Sequence, residues 1–222
     1  MVDNVILILA NGEWNGKERL QEIVRSARTI IATDGAWAKA YERGIKVDLV
    51  IGDADSLTEA ERILLCSSPV EVLTYPCEKD WTDLELALDN ALSRNPDRIS
   101  IYGALGGRVD HSLASLFLLE KGVVAKVPIE IIAGDERIFL LADRCEVPDA
   151  QVGDRISLLS LAETVKIKTT GLKYTLNNDP LRRASSKGIS NEIISSPVRL
   201  EVKDGLALVI HAKCRFRGEE YR

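Results

Sequence analysis

Five short apolar runs, each followed by an amphipathic stretch, constrain this 222-residue chain more than any other feature. They are VILILA (5–10), TIIAT (29–33), DLVIG (48–52), RISIYG (98–103) and IEIIAG (129–134). A strand that is apolar on every residue has no side to show to water. It belongs in a sheet covered on both faces, the usual setting of a parallel strand. The intervening stretches carry helix signals. Ser56 with Glu59, and Thr82 with Glu85, have the spacing of a capping box. Behind Thr82, the residues Leu84, Ala87, Leu88, Ala91 and Leu92 follow the 3.6-residue period. A third helix is predicted from about Asp110, with Leu113, Leu116 and Phe117 apolar and Gly122 as its stop. Strand and helix in repetition, joined by right-handed crossovers, predict an α/β fold with a doubly wound, mainly parallel sheet.

The pattern changes near residue 143. From there short β-like runs are separated by turn residues at Gly153, Gly171, Asn177 to Pro180, Gly188 and Asp204-Gly205. VRLEVKDGLALVIHA reads as a hairpin, with Asp-Gly at its turn. The expectation is an α/β domain over residues 1–142 and a small C-terminal all-β sandwich over 143–222. So short a β domain has little core of its own, and should pack on the first domain or on another subunit.

Bulk properties narrow the function. With 45% hydrophobic and 28% charged residues the chain has a globular composition. A net charge of -5 argues against a non-specific nucleic-acid binder, though a local site for a small anion stays open. Four cysteines without a CxxC pair, and two histidines, disfavour a structural zinc site. No signal peptide and no apolar run of membrane length is apparent, so the expectation is a cytoplasmic protein with reduced thiols and no membrane partner.

Ligands of an open parallel sheet bind beyond the carboxyl ends of its strands, and acidic residues gather there in this sequence. Asp34 and Gly35 end TIIAT, and Asp53 and Asp55 end DLVIG. GALGGRVD, with Arg108 and Asp110, ends RISIYG and opens a helix; Asp80 and Asp83 straddle the Thr82 cap. Residues two apart at a strand end share a face, so Asp53 and Asp55 are expected to reach one ion together with Asp80 and Asp83. Carboxylates crowded in this way need a cation, and an all-oxygen donor set suits Mg²⁺ or Mn²⁺ shared with phosphate oxygens. Gly106 and Gly107 let backbone approach a phosphate at a helix N-terminus, and Arg108 can clamp its oxygens. Lys79 is a further candidate phosphate contact. GxxxxGK[ST] is absent, so the loop is not a Walker A.

Taken together, DGAWAKA, IGDADSL, EKDWTDLELAL, GALGGRVDHSLASL, TTGLKYTL and ISNE, in this order, resemble the thiamine pyrophosphokinase family over nearly the whole chain. The resemblance implies a homodimer of subunits with an N-terminal catalytic domain and a C-terminal β-sandwich. It implies transfer of the terminal diphosphate of Mg-ATP to the hydroxyl of thiamine, which lies at the subunit interface, with AMP as the second product. By the same carry-over, Asp55, Asp83, Arg108 and Asp110 are the expected catalytic residues. Asp34, Gly35, Lys79, Gly106, Gly107 and Arg108 would bind the nucleotide, and Asp53, Asp55, Asp80 and Asp83 the metal. Tyr174, Ser190 and Asn191 would contact thiamine. The chain departs from many relatives at Ala36-Trp37, at Ala54 and at Tyr174, where they carry glycine, an aromatic residue and tryptophan respectively. A base for the acceptor hydroxyl is open between Asp110, His111 and a metal-bound aspartate. Two other readings are a 6-hydroxymethylpterin diphosphokinase, using the same donor chemistry, and a non-catalytic nucleotide sensor.

Overall fold

The computed structural model describes residues 3–76, 78 and 80–214. The chain divides into two compact units between Gly134 and Asp135, upstream of the boundary expected at 142/143. The displaced segment is the strand Glu136–Leu141 (β7), which pairs antiparallel with Ala207–Ala212 (β14) and so belongs to the second unit.

The first unit contains the strands β1 (Val5–Leu9), β2 (Thr29–Thr33), β3 (Leu49–Gly52), β4 (Glu71–Thr74), β5 (Arg98–Tyr102) and β6 (Ile129–Ala133). They lie in the order β6-β5-β1-β2-β3-β4, all parallel. The helices are α1 (Lys17–Ser26), α2 (Asp34–Glu42), α3 (Glu59–Ser67), α4 (Asp83–Ser93), α5 (Val109–Leu118) and α6 (Glu120–Ala125). Every residue of β1 is buried, because both of its faces are covered. On one face Leu7, Leu9, Ile30, Ala32 and Val50 pack with Leu20 and Ile23 of α1 and Trp37 and Ala40 of α2. On the other, Ile6, Ile8, Ile31 and Ile51 are buried, and α4 crosses β1, β2 and β3 with Leu84, Ala87, Leu88 and Ala91 turned inward. Trp37 is core rather than pocket: it is 3% exposed and stacks at a tilt on Tyr41.

Helix starts and stops differ from the sequence reading in three places. The capping box of α3 is Thr58 with Glu61, not Ser56 with Glu59, because Ser56 is drawn away by a hydrogen bond to Asp34. At α4 only half of the box forms: the Thr82 hydroxyl accepts from the Glu85 N–H, while the Glu85 carboxylate turns to Lys121. The third helix does not stop at Gly122. It breaks at Leu119, and Gly122 lies buried within α6, which ends at Lys126 in the left-handed conformation. Leu113 and Phe117, two of the apolar positions of the third helix, are 49% and 60% exposed. The edge strand β4 was not apparent in the sequence; its pattern of exposed and half-buried residues gives no apolar run.

The second unit is a sandwich of two antiparallel sheets. One has the order β12-β9-β14-β7, with β9 (Arg155–Ser160) and β12 (Asn191–Glu192). The other has the order β11-β10-β13-β8, with β8 (Arg144–Glu146), β10 (Thr164–Thr170), β11 (Asn177–Arg182) and β13 (Arg199–Lys203). Alternation places Val165, Ile167, Leu200 and Val202 inside, against Ile156, Leu158, Ala207 and Val209. The predicted hairpin 198–212 is not one: β13 and β14 pair in different sheets. Asp204 and Gly205 turn the chain between sheets, both at positive φ. Among the described residues no helix is long and apolar enough to cross a membrane.

A buried hydrogen-bonded pair fastens the end of this unit. The His211 Nε2 of β14 lies 2.8 Å from the Asp154 carboxylate, which also accepts from the N–H groups of Gln151 and Cys214. Burial raises the Asp154 pKa, but the hydrogen bonds from Cys214, His211 and Gln151 outweigh it, so the carboxyl lies below its ordinary value. A carboxyl depressed by folding adds stability above its unfolded pKa of about 3.9, and that stability is lost as pH falls through the folded value. Replacing Asp154 with Ala strands the histidine and two backbone donors, and is expected to cost roughly 3 kcal/mol at neutral pH. Urea unfolding checks this, and the gap between variant and wild type should close below about pH 4. Equal stability at neutral pH would refute the assignment.

Candidate active site

The strand order reverses between β1 and β5: the chain runs outward from β1 through β4, returns over α4 to β5, and continues outward to β6. The loops after such neighbouring strands diverge and leave a crevice at their carboxyl ends. An open cleft of about 680 Å³ lies there. Asn11, Gly12 and Glu13 line it from the loop after β1, Asp34 from the end of β2, and Asp53, Asp55 and Ser56 from the end of β3. The start of α4 adds Thr82 and Asp83, the loop after β5 adds Gly106, Gly107 and Arg108, and the first turn of α5 adds His111.

Three carboxylates converge. Asp34, Asp53 and Asp83 each place an oxygen within 4.8 Å of the others. Asp34 is 2% exposed. Its Oδ1 accepts from the Gly35 N–H at 2.6 Å and the Ser56 hydroxyl at 2.8 Å, whereas its buried Oδ2 has no hydrogen-bond partner among the described residues. An unsatisfied buried acceptor costs about 1–3 kcal/mol, and neighbouring negative charge adds to that. Three hard oxygen donors around one orphaned carboxylate oxygen fit Mg²⁺ or Mn²⁺, whose preferred ligands are carboxylates, water and phosphate oxygens.

The converging set differs from the expected one. Asp34, expected beside the nucleotide, is in it. Asp80 is exposed and outside it. Asp55 lines the cleft but is not among the three. The shared-face argument does not apply to Asp53 and Asp55 because β3 ends at Gly52 and Ala54 is left-handed, at φ 61°. The turn keeps the two side chains neighbours by another route: the Asp55 N–H donates back to Asp53 Oδ1. The Asp55 pKa is raised, first by a side-chain hydrogen bond shared with Asp53, then by desolvation and by the Asp53 and Asp34 charges.

The glycine-rich loop links β5 to α5. Gly106 and Gly107 both have positive φ, at 94° and 70°, a run that side chains rarely tolerate. Arg108 is the N-cap residue of α5, and its guanidinium engages Asp110 through two bonds, of 3.1 Å and 2.6 Å. The pair holds the Asp110 pKa down to about 2, mainly through the hydrogen bond from Arg108. A carboxylate of that strength is a poor proton acceptor, so Asp110 here orients the arginine. Lys79 lies outside the described residues.

The remaining expected residues are in the second unit. Asn191 is buried, and its carboxamide clasps the backbone of Tyr174: Oδ1 accepts from the Tyr174 N–H at 3.0 Å and Nδ2 donates to the Tyr174 carbonyl at 2.7 Å. The Tyr174 side chain is left 66% exposed. Ser190 is left-handed, and its N–H donates to the Ser157 hydroxyl. Asn11, Gly12 and Ser56 were missed. The signal was present, since Asn-Gly directly follows the most apolar run, but it reads as an ordinary turn until β1 is known to flank the switch point.

Comparison with known proteins agrees with this architecture. Residues 20–132 match the family described as "Thiamin pyrophosphokinase, catalytic domain", and residues 144–207 match "Thiamin pyrophosphokinase, vitamin B1 binding domain". The chain is 34% identical over 184 residues to the thiamine pyrophosphokinase of Bacillus subtilis, covering 82% of this chain and 86% of the relative. It is 26% identical to thiamin pyrophosphokinase 1 of Caenorhabditis elegans, covering 92% and 88%. The crystal structure of the Bacillus subtilis thiamine pyrophosphokinase superposes with a TM-score of 0.84 at 32% identity, covering 95% of this chain and all of that one. The Candida albicans thiamin pyrophosphokinase, at 18% identity, shares the fold, with a TM-score of 0.78 over 95% of this chain and 90% of that one.

The carboxylate geometry yields a direct test. Asp53→Asn is expected to weaken Mn²⁺ binding, followed by electron paramagnetic resonance, at least ~10-fold. Its thermal midpoint should hold or rise, because like-charge repulsion is relieved. Asp80→Asn should bind Mn²⁺ as wild type does; the reverse ranking would refute the three-carboxylate site.

Proposed function

This chain belongs to the thiamin pyrophosphokinase family, and from that premise we propose that it transfers the β,γ-diphosphate of ATP to the hydroxyl of thiamine, releasing AMP. The observation that carries the reading is the convergence of Asp34, Asp53 and Asp83 in one cleft with a glycine loop and Arg108. Phosphoryl chemistry asks a protein for positioning and charge neutralisation more than for covalent steps. Asp34, Asp53 and Asp83 would hold Mg²⁺, which when bound neutralises charge on the triphosphate. Gly106 and Gly107 bring backbone close to the phosphates, at the positive end of α5. Arg108, oriented by Asp110, meets charge that develops on the transferred and leaving oxygens. The thiamine oxygen forms a bond to the β-phosphorus as the bond from that phosphorus to the AMP oxygen breaks. The hydrogen bond from Arg108 holds the Asp110 carboxyl low, which favours His111, in the cleft wall, as acceptor of the hydroxyl proton.

Tyr174 would supply a ring face for the heterocycle, with Asn191 holding it in place and Ser190 beside it. A homodimer with thiamine at the subunit interface is part of the same proposal. Its support is apolar surface left open on each unit: Val109, Leu113 and Phe117 along α5, and Tyr174, Ile189 and Ile194 in the sandwich. A cytoplasmic setting fits an ATP-dependent reaction.

Mass spectrometry of purified protein with ATP, Mg²⁺ and thiamine is expected to show AMP and thiamine diphosphate in equal amounts. ADP as the nucleotide product, or AMP formed with a hydroxymethylpterin and not with thiamine, would overturn the reading. Arg108→Ala should lower kcat by roughly 100-fold.

A further inference from the structure

A lysine on α2 holds the two loops of the switch-point crevice against each other. The Gly12 N–H donates to the Gly103 carbonyl at 2.7 Å, and the Glu13 N–H to the Leu105 carbonyl at 2.8 Å. The carbonyls of these same two peptide units belong to Asn11 and Gly12. Both accept from the Lys39 ammonium, at 2.8 Å and 2.9 Å. Each peptide therefore carries the cation on its oxygen and the glycine-rich loop on its hydrogen. A cation at the oxygen polarises the amide and strengthens the bond that its N–H donates. The approach leaves no slack: a Cβ on Gly12 would stand 2.3 Å from the Leu105 oxygen and 2.5 Å from the Gly103 oxygen.

The charge is not there for simple stability. Lys39 is half-buried, and burial, followed by the nearby Arg43 cation, lowers its pKa. Methionine would fill the same space without desolvating an ammonium. What methionine lacks is the means to satisfy two adjacent carbonyls whose N–H groups fix another loop.

We propose that Lys39 is a positioning residue for the chemistry of the cleft. Through the two peptide units between Asn11 and Glu13 it sets the placement of the 103–108 loop, and with it the stance of Arg108. Lys39 acts through backbone and through another residue's loop. The kinetic part of this inference rests on the diphosphotransfer reading; the structural part does not.

The test compares full-length wild type, Lys39→Met and Lys39→Arg, each well below its own thermal midpoint. Hydrogen–deuterium exchange, without substrate or metal, is expected to quicken about 10-fold in peptides covering 103–109 of Lys39→Met, with β2 and β3 unchanged and Lys39→Arg close to wild type. In the AMP-release assay kcat should fall at least ~10-fold with the thiamine KM within about 3-fold, and arginine should restore most of it. A residue serving stability alone would lower the midpoint and leave the loop exchange and kcat as they were, and that result overturns the proposal. Should Lys39→Met fail to fold, Gly12→Ala disturbs the same relay from its other end. It must then show the same local exchange and kcat loss, and wild-type behaviour in it also overturns the proposal. If the wild type releases no AMP with thiamine, the functional reading fails, and the exchange result alone decides the role of Lys39.

Discussion

A buried carboxylate with one oxygen that no group among the described residues satisfies is the constraint on which the site turns. Asp34 stands at the end of β2, sunk in the sheet's carboxyl edge, with Asp53 and Asp83 brought beside it. Folding the chain this way forces negative charges together and leaves the Asp34 Oδ2 bare. A fold optimised for stability alone would place asparagine or serine there. In the proposed function a divalent cation and its phosphate ligands would complete the arrangement and offset that repulsion. The architecture serves that one juxtaposition: β2, β3 and α4 each deliver a single aspartate, and α4 reaches the rim because it carries the chain back across the sheet to β5.

The anion recognition proposed for this cleft would rest on backbone more than on side chains. Successive left-handed glycines after β5, the N-terminus of α5 and one arginine occupy the wall beside the carboxylates. Backbone donors are fixed by the path of the chain and need little reorganisation when charge moves, which is where electrostatic catalysis gains most. A path set by glycines is also soft, since glycine pays the largest conformational entropy on ordering. Hydrogen bonds at Gly12, Glu13 and Ser112 tie that loop down at Gly103, Leu105 and Gly106.

The parallel sheet was legible because its strands are apolar on every residue, a pattern that only two-sided burial explains. β4 was not, since an edge strand half open to water carries no such run. The turn at Asp204-Gly205 was legible and its partners were not: hairpin chemistry specifies that the chain reverses, while the sheet each strand joins depends on neighbours far away in sequence. The site shows the same division. The sequence pointed to the rim through the positions of the aspartates, but the way they meet is shaped by one left-handed alanine and one serine. Ala54 breaks the strand alternation between Asp53 and Asp55, and Ser56 leaves its expected capping role to bond Asp34. Neither event has a local signature strong enough to override the simpler pattern.

Those same particulars separate the residues that can alter substrate preference from those that cannot. Ala36 and Trp37 are packed into the core between α2 and the sheet, so replacing the smaller residue of many relatives here changes packing and presents nothing to a nucleotide. Ala54 is half-buried against the same core, and its contribution is backbone geometry: a non-glycine residue held left-handed at a functional turn, at some cost in strain. Tyr174 differs from both. Its backbone is clasped from both sides by Asn191 while its ring stands exposed. A side chain whose main chain is held firmly and whose ring contributes little to the core is arranged for contact with something outside its own unit. Of the three departures from the family pattern, Tyr174 alone presents an exposed ring, so under the proposed function it is the one placed to tune affinity for a heterocyclic acceptor.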